Sequence, residues 1–219
     1  MRFTWVAVVG LVLASAAAAQ PLGPPPMERG GQGWSVLSGQ TVGAGQNVVA
    51  AQLGWPGLSG TFLHGFSDRL DLGGGLALNY GEEGLRNTFT PGIKLQVLSR
   101  YMLLSTPAFN LGVSVAPGAL FYFHSYDTLT SFTLPVGMQL GLPLGSAIMM
   151  HAGVDLPFLW TFGSTGGPVL PILVGGGAEY FLNSQLAATA RLRMGPRLQG
   201  DNRPTLFTAE VGVGIAYKL

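Results

Sequence analysis

The chain contains no cysteine. That excludes disulfide staples, thiolate metal sites and acylation at an N-terminal cysteine of the lipoprotein kind. Charge is nearly as scarce: Asp, Glu, Lys and Arg make up 10% of the residues, against roughly 25% in an ordinary soluble domain. A formal charge of +1 leaves no basic surface of the kind that binds nucleic acid. No metal-ligand cluster, phosphate-cradling glycine loop or nucleophile elbow occurs, so the sequence offers no metal, no cofactor and no catalytic residues. What is present is apolar residues, 47% of the chain, and 34 glycines, about twice the ordinary share. Low charge points to lipid, while abundant glycine weakens helix interiors and argues against a bundle of membrane helices. A length of 219 residues suits one domain.

The first residues read as a targeting segment. Arg2 is followed by an apolar run over 5–14 and by Ala17, Ala18 and Ala19, small residues at the positions a signal peptidase reads. The run is shorter than the ~20 residues a membrane-spanning helix needs. A signal peptide over 1–19, with export through the Sec route, is therefore expected; loss of Arg2 with it leaves a neutral mature chain. Residues 20–33, with Pro21, Pro24, Pro25 and Pro26, read as a flexible periplasmic leader without packed structure. The barrel domain is expected over 34–219.

Long uncharged stretches, 102–126 and 128–154, invite a reading as membrane helices, but their period is two. At the C-terminus Phe207, Ala209, Val211, Val213, Ile215, Tyr217 and Leu219 share one face, and Thr208, Glu210, Gly212, Gly214, Ala216 and Lys218 share the other. The pattern recurs over 70–80, 132–142, 148–160 and 186–198, with large apolar residues on one side and glycine, polar or charged residues on the other. Segments of about ten residues separated by turn residues are the signature of a transmembrane barrel. Lipid tolerates no open sheet edge, so such strands must close.

The spacing predicts an all-β fold, a closed antiparallel transmembrane β-barrel of about ten strands near 46–55, 58–67, 70–81, 88–103, 108–123, 129–142, 147–161, 168–182, 185–198 and 205–219. Eight or twelve strands are the alternatives: residues 34–42 could add a strand, and Trp55-Pro56-Gly57 could be a bend. Tight turns at 68–69, 105–107, 143–146 and 183–184 alternate with longer connections at 81–87, 124–128, 161–167 and 199–204. Short turns belong in the periplasm and longer loops outside. Trp55, Tyr80, Phe89, Phe121, Phe123, Trp160 and Phe207 then fall towards the outer ends of strands, and Phe66, Tyr101, Phe109, Tyr180 and Tyr217 towards the periplasmic ends, as two interfacial girdles.

The terminal strand, with Gly214, Tyr217 and Leu219, resembles the C-terminal assembly signal of bacterial outer-membrane β-barrel proteins. Leu219 stands where such strands usually carry Phe or Trp, and Gly212 stands where a polar residue is usual. The hairpin over 66–73 is also similar to periplasmic turns of these families. Together with the repeated strands, the resemblance covers about 46–219. It implies residence in a Gram-negative outer membrane, contact with its lipid, and insertion by the barrel assembly machinery. It names no substrate.

Charges on the inward face are Asp71, Lys94, Asp155, Glu179, Arg191, Arg193, Arg197 and Glu210, four of each sign. Buried charges need partners, and an ion-pair network joining Glu179, the Arg191–Arg193 pair and Glu210 is expected. It serves either to fill the lumen or to line a charged constriction; ten strands with many inward glycines allow at most a narrow path. The expected function is that of a non-enzymatic outer-membrane protein, structural or a narrow porin-like pore. Two alternatives stand beside it. One is a lipid-modifying enzyme of the deacylase kind, for which His124, Ser125 and Asp127 sit in an outer loop. The other is a soluble periplasmic lipid-binding barrel, which requires the charged face outside.

Overall fold

Alternation at period two dictates extended chain, and every regular element among the described residues is a strand. The structure is a computed structural model, and it describes residues 30–81, 89–124, 128–163, 167–199 and 206–219. The strands are β1 (Asn47–Trp55), β2 (Gly57–Gly65), β3 (Leu70–Gly81), β4 (Phe89–Ser105), β5 (Asn110–Val115), β6 (Gly118–Phe123), β7 (Thr128–Leu144), β8 (Ile148–Thr161), β9 (Pro168–Pro171), β10 (Leu173–Phe181), β11 (Leu186–Gln199) and β12 (Leu206–Lys218).

Each strand pairs antiparallel with its neighbours, and β12 returns to pair β1, from Val48 opposite Lys218 to Trp55 opposite Val211. The sheet is thus a closed barrel. β5 and β6 both pair β4 and β7, and β9 and β10 both pair β8 and β11, so each couple is one interrupted stave. The twelve strands therefore make the expected ten staves. Residues 66–69, 106–109, 145–147 and 182–185 turn the chain at one end, here the turn end, which also carries Leu219. At the opposite, loop end, Pro56 alone separates β1 from β2.

Both interruptions have the same cause. Proline has no N–H to give to a ladder. Pro117 opens the gap between β5 and β6, and Pro171 precedes the gap between β9 and β10. Pro135 stands opposite Pro157, and the registers on either side set Pro157 opposite Pro171, a pair that exchanges no ladder hydrogen bond. Ala116 N donates to Pro135 O at 2.9 Å and Ile172 N to Pro196 O at 2.9 Å, each bond without the reciprocal one. Prolines thus follow one another across the staves from Pro117 to Pro196.

The two faces sort as the alternation requires. On β12, Phe207, Val211, Val213, Ile215 and Tyr217 are exposed, while Thr208 and Ala216 are buried. Leu53, Leu76, Val97, Val136, Val154, Val174 and Leu192 extend this exposed apolar surface around the barrel. Water does not tolerate a continuous belt of this kind; lipid does. Val213, opposite Leu53 and 58% exposed, lies near the middle of β12. Val213→Arg is therefore expected to cost about 2–4 kcal/mol in a bilayer, read as a lowered urea midpoint in lipid vesicles. An unchanged midpoint would mean that this face does not meet lipid.

Residues 34–42, the optional first strand of the sequence reading, form no strand. They enter the lumen at the turn end, where Trp34, Ser35, Ser38, Gln40, Thr41 and Val42 are all buried. Gly43 (φ 98°) and Gly45 (φ 72°) then turn the chain out of the lumen into β1, in a left-handed conformation that glycine adopts without strain.

Candidate functional site

An irregular segment inside a barrel has a problem of partners. The wall's backbone groups are engaged in their ladders, and a buried N–H or C=O left unpaired is costly. The wall must therefore answer with side chains, and its buried charges do so. Glu179 Oε1 accepts from Val36 N at 2.8 Å, and its Oε2 accepts from the Ser35 hydroxyl. Asp71 accepts from Val42 N at 3.1 Å and from Arg100 Nε at 3.0 Å, with Arg100 Nη2 at 2.5 Å. Arg100 Nη2 also donates to Ser35 O at 2.7 Å, and Nη1 to Ser38 O at 3.4 Å. Thr41 Oγ1 donates to Asp68 O at 2.7 Å, in the turn between β2 and β3.

The apolar half of the plug is Trp34, fully buried among Val42, Val48, Leu63, Met149, Phe181, Ala187 and Ala216. Its ring meets Phe181 edge-on at 5.1 Å, its Nε1 donates to Ser184 O at 2.9 Å, and Lys218 Nζ lies 5.8 Å from its centroid. On the other side Gly39 lies directly on the wall. A Cβ there would run into the backbone of Gly112 and come within 2.5 Å of Gln139 O. Residues 30–33, assigned to the unpacked leader, are also engaged: Gln32 Nε2 donates to Ser146 O at 3.0 Å. Residues 1–29, read above as a signal peptide and the start of the leader, lie outside the described residues.

Above the plug lies a chamber of about 280 Å³, reaching from Val36 and Ser38 to the Trp55–Pro56 turn. Arg193 holds its centre. Across β11 and β12 it faces Glu210 and pairs with that carboxylate through Nη2; through Nη1 it reaches Asp155 Oδ2 at 3.0 Å. Asp155 belongs to β8, on the far side of β10. Arg193 spans that stave because Gly175, opposite both Arg193 and Gly153, has no side chain to obstruct it. Gln139 Nε2 donates to the same Asp155 oxygen at 3.1 Å. Arg191 stands opposite Gly212 beside Gln52, and Lys94 lines the same wall. His151 lies over Gly177, where a Cβ would be 2.6 Å from its Nε2.

All eight charges read from the sequence face inward, but not as one network. Asp155, Arg193 and Glu210 join as an ion-pair triad. Glu179 does not belong to it: the register sets Glu179 opposite Thr189, four residues along β10 from the level of Arg193, or roughly 13 Å. It holds the plug instead. Asp71 does the same, and Arg197 sits nearer the loop end, opposite Pro171. Arg100 was missed, although it shares Lys94's parity on β4, the signal that would have found it. Gly214 and Tyr217 take their places on β12, opposite Thr189 and Leu186, and Leu219 N donates to Asn47 O at 2.9 Å. His64 faces outward and bonds Asn47 Oδ1 through Nδ1 at 2.8 Å. His124 follows β6; Ser125 and Asp127 lie outside the described residues.

No family model matches the chain, and no curated protein matches it in sequence. Among solved structures it is similar to the N-terminal β-barrel domain of Pseudomonas aeruginosa OprF, at 11% identity over 81% of this chain and 99% of that one, with a TM-score of 0.41. It is similar to the outer membrane protease OmpT from Escherichia coli, at 7% identity over 81% and 94%, with a TM-score of 0.45. It is also similar to KdgM porin, solved in complex with disordered oligogalacturonate, at 9% identity over 78% and 98%, with a TM-score of 0.37. The likeness is one of barrel architecture.

Proposed function

We propose that the protein is an outer-membrane β-barrel that keeps its lumen shut with its own N-terminal segment, a structural or gated narrow-pore protein and not an enzyme. The observation that carries this reading is the burial of residues 34–42 in the lumen, anchored by Asp71, Arg100 and Glu179. The continuous outward apolar belt supports residence in a membrane. The turn end, with its short connections and the plug, faces the periplasm in this reading, and insertion is by the barrel assembly machinery. The folded chain is expected to fractionate with outer membranes, to migrate heat-modifiably in detergent, and to give no discrete current in planar bilayers. Recovery in the soluble periplasm would overturn the membrane reading, and steady unitary currents from the intact chain would overturn the closed lumen.

The pore is favoured over a purely structural role by the chamber itself. A filler needs no cavity of about 280 Å³ lined by charged side chains above the plug.

A further inference from the structure

We infer that the chamber above the plug is a binding site for a small uncharged polyol, a solute of single-sugar size recognised through its hydroxyls. The inference rests on the reading of the lumen as a solute path closed at one end, and it assigns the class of solute.

His151 carries the argument. Its side chain lines the chamber from β8, the residue is 8% exposed, and among the described residues neither Nδ1 nor Nε2 has a hydrogen-bond partner. A buried imidazole with both nitrogens unanswered is costly in a folded wall. Glycine gives the ring its place: His151 stands opposite Gly141 on one side and Gly177 on the other, and a Cβ on Gly177 would come within 2.6 Å of Nε2. In its neutral form an imidazole offers one donor and one acceptor. A hydroxyl is both, so the hydroxyls of one solute answer the two nitrogens whichever of them holds the proton.

The rest of the lining points the same way. Arg193 pairs with Asp155 and Glu210, and Lys94 and Arg191 have interactions of their own. A charged solute would have to compete with these contacts, whereas an uncharged one leaves them intact. The uncharged polar groups around the chamber are Gln52, Ser59, Thr61, Gln96 and Ser114, on β1, β2, β4 and β5. Ala50, Ala77 and Leu98 lie among them. A polyol presents the matching pair of surfaces, hydroxyls and C–H faces. The volume of about 280 Å³ is far more than the roughly 30 Å³ of one water bridging the imidazole. It lies near the lower edge of the roughly 300–1,000 Å³ of ligand pockets, which limits the solute to a single ring.

D-glucose, D-glucuronate and D-glucosamine share a ring and differ in charge. Titrated calorimetrically into the folded full chain in detergent, glucose is expected to bind at least as tightly as either charged sugar, with an affinity insensitive to salt. His151→Phe is expected to lose about tenfold for glucose, the worth of one good hydrogen bond. His151→Gln, which keeps a donor and an acceptor, is expected to retain most of the affinity. With the ring nitrogens of the three histidines labelled with nitrogen-15, glucose is expected to shift the His151 signals and to leave those of outward-facing His64 in place. His64→Gln and His124→Gln assign the spectrum, which decides the matter where His151→Phe does not fold, as judged by heat-modifiable migration. No binding of glucose, unchanged affinity in folded His151→Phe, unmoved His151 signals at saturating glucose, or tighter and salt-dependent binding of a charged sugar would each overturn the site. None of these results bears on the closed lumen, which conductance and migration report separately.

Discussion

Gly39→Val is expected to convert the proposed silent barrel into a conducting one. A valine side chain at this position meets backbone, not a flexible neighbour, because Gly112 and Gln139 are fixed in the ladder between β5 and β7. Those atoms cannot retreat without breaking the wall, so the plug must move. The wall itself asks nothing of Gly39, and its ladder from β1 round to β12 closes without the plug. The expected result is a chain that still migrates heat-modifiably and now gives discrete currents in planar bilayers, together with protease cleavage near residues 34–42. Gly60→Ala is the matched control. An added Cβ there meets nothing within 4 Å, and the variant is expected to stay silent. A folded Gly39→Val chain that passes no current would refute the plug as the barrier.

Asp71→Ala is expected to be the most destabilising single change in the lumen, at about 3–5 kcal/mol, because it leaves Arg100 buried without its carboxylate. Val42 N loses its acceptor in the same step. The double change Asp71→Ala with Arg100→Met removes the orphaned cation and replaces it with an apolar chain of similar length. It is expected to recover about half of the loss, since exchanging a buried pair for apolar groups is often near neutral. Urea unfolding in lipid vesicles measures both. If the double variant is no more stable than Asp71→Ala, the cost does not come from an unpaired buried charge.

The staves were legible because alternation is a local property. One large side chain in every two residues fixes which face meets lipid, so the strands and the inward parity of Asp71, Asp155 and Glu210 could be read directly. Height along the barrel is not local. It depends on how neighbouring strands slide into register, and no pattern within β10 says that Glu179 will sit opposite Thr189 and away from Arg193. The single expected network therefore resolved into two groups at different levels. The plug left no periodic trace at all. Residues 34–42 are held by side chains that lie from about thirty to more than one hundred positions away in sequence, as with Asp71 and Glu179, so only the assembled wall reveals why Ser35, Ser38 and Thr41 are polar. Arg100 belongs with them: its parity was readable, but its purpose, to satisfy two plug carbonyls, was not.

The line of prolines from Pro117 to Pro196 makes the wall mechanically uneven. On that arc the staves are stitched by fewer hydrogen bonds, and Pro157 and Pro171 share none. The opposite arc, β12 with β1, β2 and β3, has no proline within its strands and is continuously laddered. Trp34 is packed against β1, β2 and β12 there, and Asp71 grips the plug from β3. The line of prolines and the seat of the stopper are thus separated along the barrel axis and not around it, since Glu179 on β10 and the β5–β7 wall under Gly39 also hold the plug, at the turn end. The cross-section near the loop end is therefore expected to give more readily under lateral pressure than the seal at the other end.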